Sequence, residues 1–230
     1  MIAHDLKTFG VYWESRLDEQ ICNEVIEFTE LSNSVLEIWI KHLYEEMDNG
    51  SGVIPIQFGC ITKLHPSQAS YPNRCSYISD LLDKIQIAQI IVFPYNPGGH
   101  WVLVAIDMVR RKIYYLDPLC DNPDDELKQM VNDGITMHQV KSNKKKVVQC
   151  VSVKCPKQAG TFECGYYVMK YIQDIVCDLC ILENNFKGCN EYTMDDLSQL
   201  RDQWAMYVAK LLVAYNNEVA KVKGKAKIKE

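Results

Sequence analysis

Residues 101–106 read Trp-Val-Leu-Val-Ala-Ile, apolar at every position, and after a polar turn at 109–112 the chain returns through the β-forming run 113–116. Two such runs around a short turn specify an antiparallel hairpin. A strand with no polar face cannot border water on either side, so the first of these is expected at the centre of a sheet covered on both faces. That excludes an open, one-sided sheet and requires helices as the covering layers.

Helical periodicity supplies those layers. Val35, Leu36, Ile38, Trp39, Ile40 and Leu43 predict a helix over 35–47, with Ser32 or Asn33 as its cap and the Asp-Asn-Gly-Ser-Gly of 48–52 as its stop. A short helix is predicted over 77–82, a buried strand over 89–93 and a further strand over 147–153. From Cys164 the spacing of Tyr167, Val168, Tyr171, Ile172, Ile175, Val176 and Leu179 predicts a helix as far as Leu182. A last helix is predicted over 194–215, opened by Thr193 and apolar along Leu197, Leu200, Trp204, Tyr207, Val208, Leu211 and Leu212. The expected fold class is α+β, a central mixed β-sheet packed between helices.

Composition narrows the function. The chain has 230 residues, 47% of them hydrophobic, enough to bury one enzyme-sized core. A net charge of −5 gives no global basic surface, so neither nucleic acid nor membrane is an expected partner. The lysines at 144–146 and from 221 to 229 read as solvated loop and tail. No run reaches the roughly 18 consecutive apolar residues of a membrane span, and no signal pattern opens the chain, so a nuclear or cytoplasmic protein is expected. The ten cysteines then read mostly as buried reduced thiols. Cys177, Cys180 and Cys189 have no fourth partner near them in sequence, and His138 is distant; no metal and no cofactor are expected. Cys150 and Cys155 flank a strand, and ordinary thiols are favoured there over a disulfide.

One constellation carries chemistry. Hydrolysis by cysteine needs a thiolate, a base, a group that fixes the base, and donors for an oxyanion. Cys164 stands at a predicted helix start, where a thiol is acidified and backbone N–H groups are free. Gly165 after it permits a close approach by another backbone or by substrate. His100 follows the loop Asn96-Pro97-Gly98-Gly99 and enters the central strand; Asp117 ends the return strand of the hairpin before Pro118. In an antiparallel hairpin those two positions are neighbours, so the carboxylate is placed to hold the imidazole. Gln158, in the loop entering the nucleophile helix, offers a side-chain amide to the oxyanion.

The runs Gly99-His100-Trp101-Val102-Leu103-Val104-Ala105-Ile106-Asp107, Tyr115-Leu116-Asp117-Pro118-Leu119, Cys155-Pro156-Lys157-Gln158 and Phe162-Glu163-Cys164-Gly165-Tyr166-Tyr167-Val168 closely resemble the ubiquitin-like-protein-specific, SUMO protease or adenain-like, cysteine peptidases. The order His, Asp, Gln, Cys is that family's and reverses papain's. The ending Tyr192-Thr193-Met194 through Leu200-Arg201-Asp202-Gln203-Trp204 looks most like its plant, transposon-related branch. The resemblance implies a papain-like core in permuted order, with Cys164 as nucleophile, His100 as base and acid, Asp117 as orienting carboxylate and Gln158 as oxyanion donor. It implies that Trp101 walls a slot for the Gly-Gly end of a modifier. Where studied members carry a Trp over that slot, this chain has Glu30-Leu31-Ser32-Asn33; Trp13 and Trp39 are the alternatives, the second better read as helix core.

The expected organisation is an N-terminal arm over 1–30, a catalytic domain over 31–217 and a disordered lysine-rich tail over 218–230. The expected activity is cleavage after the C-terminal Gly-Gly of a ubiquitin-like modifier, SUMO first, by a monomer whose partners are that modifier and its conjugates. A protease for another modifier or for a transposon polyprotein, and a silent modifier-binding domain, are the competing readings.

Overall fold

The computed structural model describes residues 1–4, 6–49, 54–86, 89–142 and 147–227, the side chains of 218 and 220–227 excepted. In chain order the elements are β1 (Ile2–His4), α1 (Leu6–Phe9), β2 (Trp13–Ser15), α2 (Glu19–Ile26), α3 (Asn33–Asp48), β3 (Ile56–Phe58), α4 (Ile61–Leu64), α5 (Tyr71–Lys84), β4 (Ile90–Tyr95), β5 (Val102–Asp107), β6 (Lys112–Leu116), α6 (Asp125–Lys141), β7 (Gln149–Ser152), α7 (Cys164–Cys177) and α8 (Met194–Lys227).

The expected hairpin is β5–β6, with Leu103 opposite Leu116 and Ile106 opposite Ile113. It lies inside a five-stranded sheet of order β3-β4-β5-β6-β7, antiparallel in the middle and parallel at both outer pairs. Every residue of β4 and β5 is buried, as a strand without a polar face requires. Leu127 and Val131 of α6 line a small cavity together with Val104, Ile113 and Tyr115. Helix α7 packs on β5, with α3 and α8 against it in turn. Two indole N–H groups tie these helices: Trp39 donates to the carbonyl of Met169 at 3.0 Å and Trp204 to that of Val35 at 3.1 Å. Both rings are buried, so each finds the partner a buried donor needs.

Several elements depart from the sequence reading. The short helix at 77–82 is the middle of α5, which begins at Tyr71 with Pro72 in its first turn, where a missing N–H costs nothing. Helices α2 and α6 have no counterpart in the sequence reading; each is capped by an aspartate, Asp18 accepting from the Ile21 N–H and Asp124 from that of Leu127. Helix α7 stops at Cys177, and a 3-10 turn over Leu179–Leu182 follows, capped by Asp178. Helix α8 runs on to Lys227, past the expected end at Tyr215 and into the stretch expected to be a disordered tail. The lysines at 144–146 lie outside the described residues.

The first thirty positions are built into the domain. Glu37 of α3 is buried and accepts from Trp13 Nε1 at 3.0 Å, Ser15 Oγ at 2.6 Å and Thr62 Oγ1 at 3.2 Å. Tyr166 of α7 donates to the carbonyl of Glu24, and Arg201 of α8 to those of Val25 and Ile26. The cysteine expectation is corrected: Cys60, Cys75, Cys155 and Cys164 are buried, whereas Cys120, Cys150, Cys177, Cys180 and Cys189 are exposed, and all are free. Cys150 is exposed because β7 is an edge strand, and Cys177 and Cys180 because they lie where α7 ends.

Candidate active site

The hairpin register brings His100 and Asp117 together. Nε2 of His100 lies 2.7 Å from Oδ1 of Asp117, the imidazole 29% exposed and the carboxylate 4%. Asp117 is itself fixed: Oδ1 accepts from the Leu119 N–H at 2.8 Å, and Oδ2 is 3.4 Å from the Tyr115 hydroxyl, which donates to it. With Nε2 engaged, Nδ1 is the ring nitrogen left for a proton from elsewhere. The Asp117 bond, then a hydrogen bond with the Cys164 thiol, raise the His100 pKa to about 9 against the opposing effect of partial burial. The imidazole is therefore charged at neutral pH in the folded protein.

Cys164 opens α7 and is buried, with its side chain interacting with that of His100. Its position at the first residue of the helix leaves the backbone N–H groups of that turn without intrahelical partners. Gly165 does make room, but for this protein's own chain: a Cβ there would fall 3.0 Å from Cβ of Leu31 and 3.1 Å from its Cδ1. The side of Gly165 where a Cβ would stand is taken by the Leu31 side chain.

Gln158 is held between the two halves of the site. Its N–H donates to the carbonyl of Pro118, one residue past Asp117, at 2.9 Å, while Tyr171 of α7 donates to the carbonyl of Pro156. The side chain is buried, and Nε2 donates to the Gly160 carbonyl at 2.9 Å, which uses one of two amide N–H bonds. Cys155, on the same segment, points its sulfur at the Asp117 carbonyl, 3.5 Å away, and burial pushes its thiol up to about 11. That contact turns Cys155 away from the pairing with Cys150 considered from sequence.

Trp101 is 3% exposed, and its indole donates to the Leu31 carbonyl at 2.8 Å, so the ring is anchored at the start of α3 beside the Gly165–Leu31 contact. Glu30 is exposed. Trp13 is committed to Glu37 and Trp39 to Met169, so neither reaches the site. The aromatic residue that does approach is one the sequence reading passed over. Phe28, with a left-handed φ of 55°, stacks edge-on with Phe162 at 5.3 Å and tilts against Tyr166 at 4.6 Å, with the Arg201 guanidinium 4.9 Å from its ring centre. Phe162 precedes Cys164 by two residues, so this pair stands on the nucleophile's own loop. No sequence signal marks Phe28, because a bulky residue is not expected in the left-handed region.

Among the described residues no cluster of His, Cys, Asp and Glu is arranged to hold a metal ion, and no helix is long and apolar enough to cross a membrane.

Comparison with known proteins bears on the family and the fold. The family description "Ulp1 protease family, C-terminal catalytic domain" matches residues 63–214. Ubiquitin-like-specific protease 1 of Saccharomyces cerevisiae is 22% identical over 141 residues, 60% of this chain but only 22% of that protein's length. Among solved structures, a de-sumoylating protease aligns over 94% of this chain and 95% of its own with a TM-score of 0.70 and 15% identity. The Ulp1 protease domain in complex with Smt3, the yeast orthologue of SUMO, aligns over 81% and 79% with a TM-score of 0.56 and 18% identity. The Xanthomonas campestris effector XopD bound to ubiquitin aligns over 77% and 91% with a TM-score of 0.57 and 17% identity. At these identities the structural likeness speaks to the fold, a mixed sheet between helices.

Proposed function

Because the chain belongs to the Ulp1 protease family, we propose that it is a cysteine protease cutting the peptide or isopeptide bond after the C-terminal Gly-Gly of a ubiquitin-like modifier, with SUMO as the first choice. The observation that carries this reading is the His100–Asp117 hydrogen bond beside a thiol at the first position of a helix.

The chemistry follows from that geometry. The proton that Cys164 gives up rests on Nδ1 of His100, which leaves a thiolate beside an imidazolium, and Asp117 on Nε2 keeps the ring oriented and offsets the imidazolium charge. The thiolate attacks the terminal glycine carbonyl, and the oxyanion is met by the Cys164 backbone N–H and the second Nε2–H of Gln158. The imidazolium then protonates the departing amine, leaving a thioester on Cys164. His100 next takes a proton from water, the hydroxide attacks the thioester, and the thiol is released. Trp101, anchored on Leu31, and the Phe28–Phe162 pair are the two aromatic groups of the slot, and the burial around Cys164 suits a substrate end without side chains.

A second reading is favoured by Glu30: a charged, exposed residue where studied relatives place an indole fits a modifier other than SUMO, processed by the same chemistry. Residues 31–217 would carry the reacting groups in either case, with the first thirty positions packed against them through Glu37, Tyr166 and Arg201, and a nuclear or cytoplasmic location would suit either substrate.

A panel of ubiquitin-like modifiers carrying C-terminal thiol-reactive groups tests both. The expected result is a covalent adduct with one member, absent in Cys164→Ala. If no modifier forms an adduct with the folded protein, the protease reading is wrong.

A further inference from the structure

The loop that delivers His100 is shaped by one side chain. Asn96 follows the last residue of β4, and its Oδ1 accepts three successive backbone N–H groups: Gly98 at 2.9 Å, Gly99 at 2.8 Å and His100 at 3.2 Å. The loop otherwise has little to hold it. Gly98 and Gly99 have φ of 151° and 96°, and a Cβ built at either meets nothing within 4 Å. Such a glycine pair has more conformations to lose than any other two residues. On the other side of His100 the chain is pinned at once, by the Trp101–Leu31 bond and then by the β5 pairing. The imidazole thus hangs between a rigid strand and a turn that one amide oxygen closes.

We propose that Asn96 is a positioning residue for the reaction: by gathering the N–H groups of 98–100 it sets the His100 ring against Asp117 and Cys164 together, and so governs how fast Cys164 reacts as a nucleophile near neutral pH. This rests on the reading of Cys164 and His100 as nucleophile and base. An aspartate at 96 preserves the acceptor, with a stronger oxygen; an alanine abolishes it and leaves three N–H groups to water.

The test needs no modifier. The full chain is treated with iodoacetamide between pH 5 and 9, and alkylation of the Cys164 peptide is followed by mass spectrometry for the wild type, Asn96→Ala, Asn96→Asp and His100→Ala. The expected result is that Asn96→Ala moves the acid limb of the profile upward by about one pH unit, a roughly tenfold slower reaction near pH 6. Asn96→Asp is expected to restore the rate to within about threefold, since the acceptor is kept. The proposal is overturned if Asn96→Ala superimposes on the wild type while His100→Ala is displaced, or if Asn96→Asp is no better than Asn96→Ala. It is also overturned if Asn96→Ala gives two limbs, one wild-type and one near the pH of about 8.5 of a free thiol, for that is partial unfolding. A His100→Ala profile identical to wild type would instead sink the nucleophile–base reading itself, and this proposal with it.

Discussion

His100 and Asp117 are 17 residues apart in sequence and 2.7 Å apart in space. The β5–β6 register is the cause: Leu103 faces Leu116, so Asp117, one residue past that rung, and His100, three residues before it, both lie at the open end of the hairpin. Asp117 is buried there and has its other contacts in place, from the Leu119 N–H and the Tyr115 hydroxyl. A carboxylate so fixed has few other orientations, and the imidazole is held by it.

Asp117→Ala is expected to lower kcat/KM by about 10²- to 10⁴-fold on the modifier the adduct panel selects, with a comparable loss in Asp117→Asn, whose amide N–H can face Nε2 and hold the wrong tautomer. Both variants lose the main support of the raised His100 pKa, so the alkaline limb of activity should move down in pH. The pH profile of kcat/KM checks this. An alkaline limb unchanged in Asp117→Ala would mean that another group holds the imidazole.

The same pairing predicts how stability depends on pH. His100 titrates at about 9 when folded, against about 6.5 when unfolded. Its contribution is therefore fully present below about pH 6.5 and is lost as pH rises through about 9, because the native state binds the extra proton over that interval. Denaturant unfolding of the wild type and His100→Ala at several pH values between 6 and 10 should show the difference between them shrinking across this window. A constant difference would contradict it.

Much of this site could be read from residue pattern, and the reason is local. An all-apolar strand, a polar turn and a returning strand fix a hairpin, and a hairpin fixes which of its flanking residues meet; Cys164 was marked by the periodicity that starts there. What escaped depends on contacts distant in sequence. Helix α6 carries Gly134 in its interior, a helix-weakening residue, because a Cβ there would meet Cβ of Ile78 at 2.7 Å. The β1–β2 segment is short and finds its place through partners distant in sequence, Glu37 for Trp13 and Ser15 and Tyr77 for the Phe9 carbonyl. Phe28 reaches Phe162 only by adopting a φ that its residue type disfavours.

Gly165→Ala is expected to destabilise the protein by about 1–3 kcal/mol, since the added methyl presses on Leu31, whose backbone carbonyl also holds Trp101. Leu31→Ala on its own opens a cavity; combined with Gly165→Ala it should cost less than the sum of the two. Thermal unfolding of the four proteins of this double-mutant cycle measures the coupling. Strict additivity would show that the two residues do not compete for the same space.

Glu37 gives the last prediction. Its carboxylate is buried beneath three donors from β2 and α4, and burial raises its pKa above the ordinary carboxylate value despite those hydrogen bonds. A raised acid holds its proton longer when folded than when unfolded, so its contribution is greatest below the ordinary value and is lost as pH rises through the folded one. Glu37→Ala leaves the Trp13, Ser15 and Thr62 donors unmatched and should cost about 2–4 kcal/mol at neutral pH. Glu37→Gln keeps an acceptor and the shape, so it should cost less and should remove the carboxylate's share of the pH dependence. Urea unfolding between pH 4 and 8, with hydrogen exchange at β1–β2 as a local readout, separates these effects. Parallel stability curves for the wild type and Glu37→Gln would show that the buried carboxylate does not change its protonation on folding.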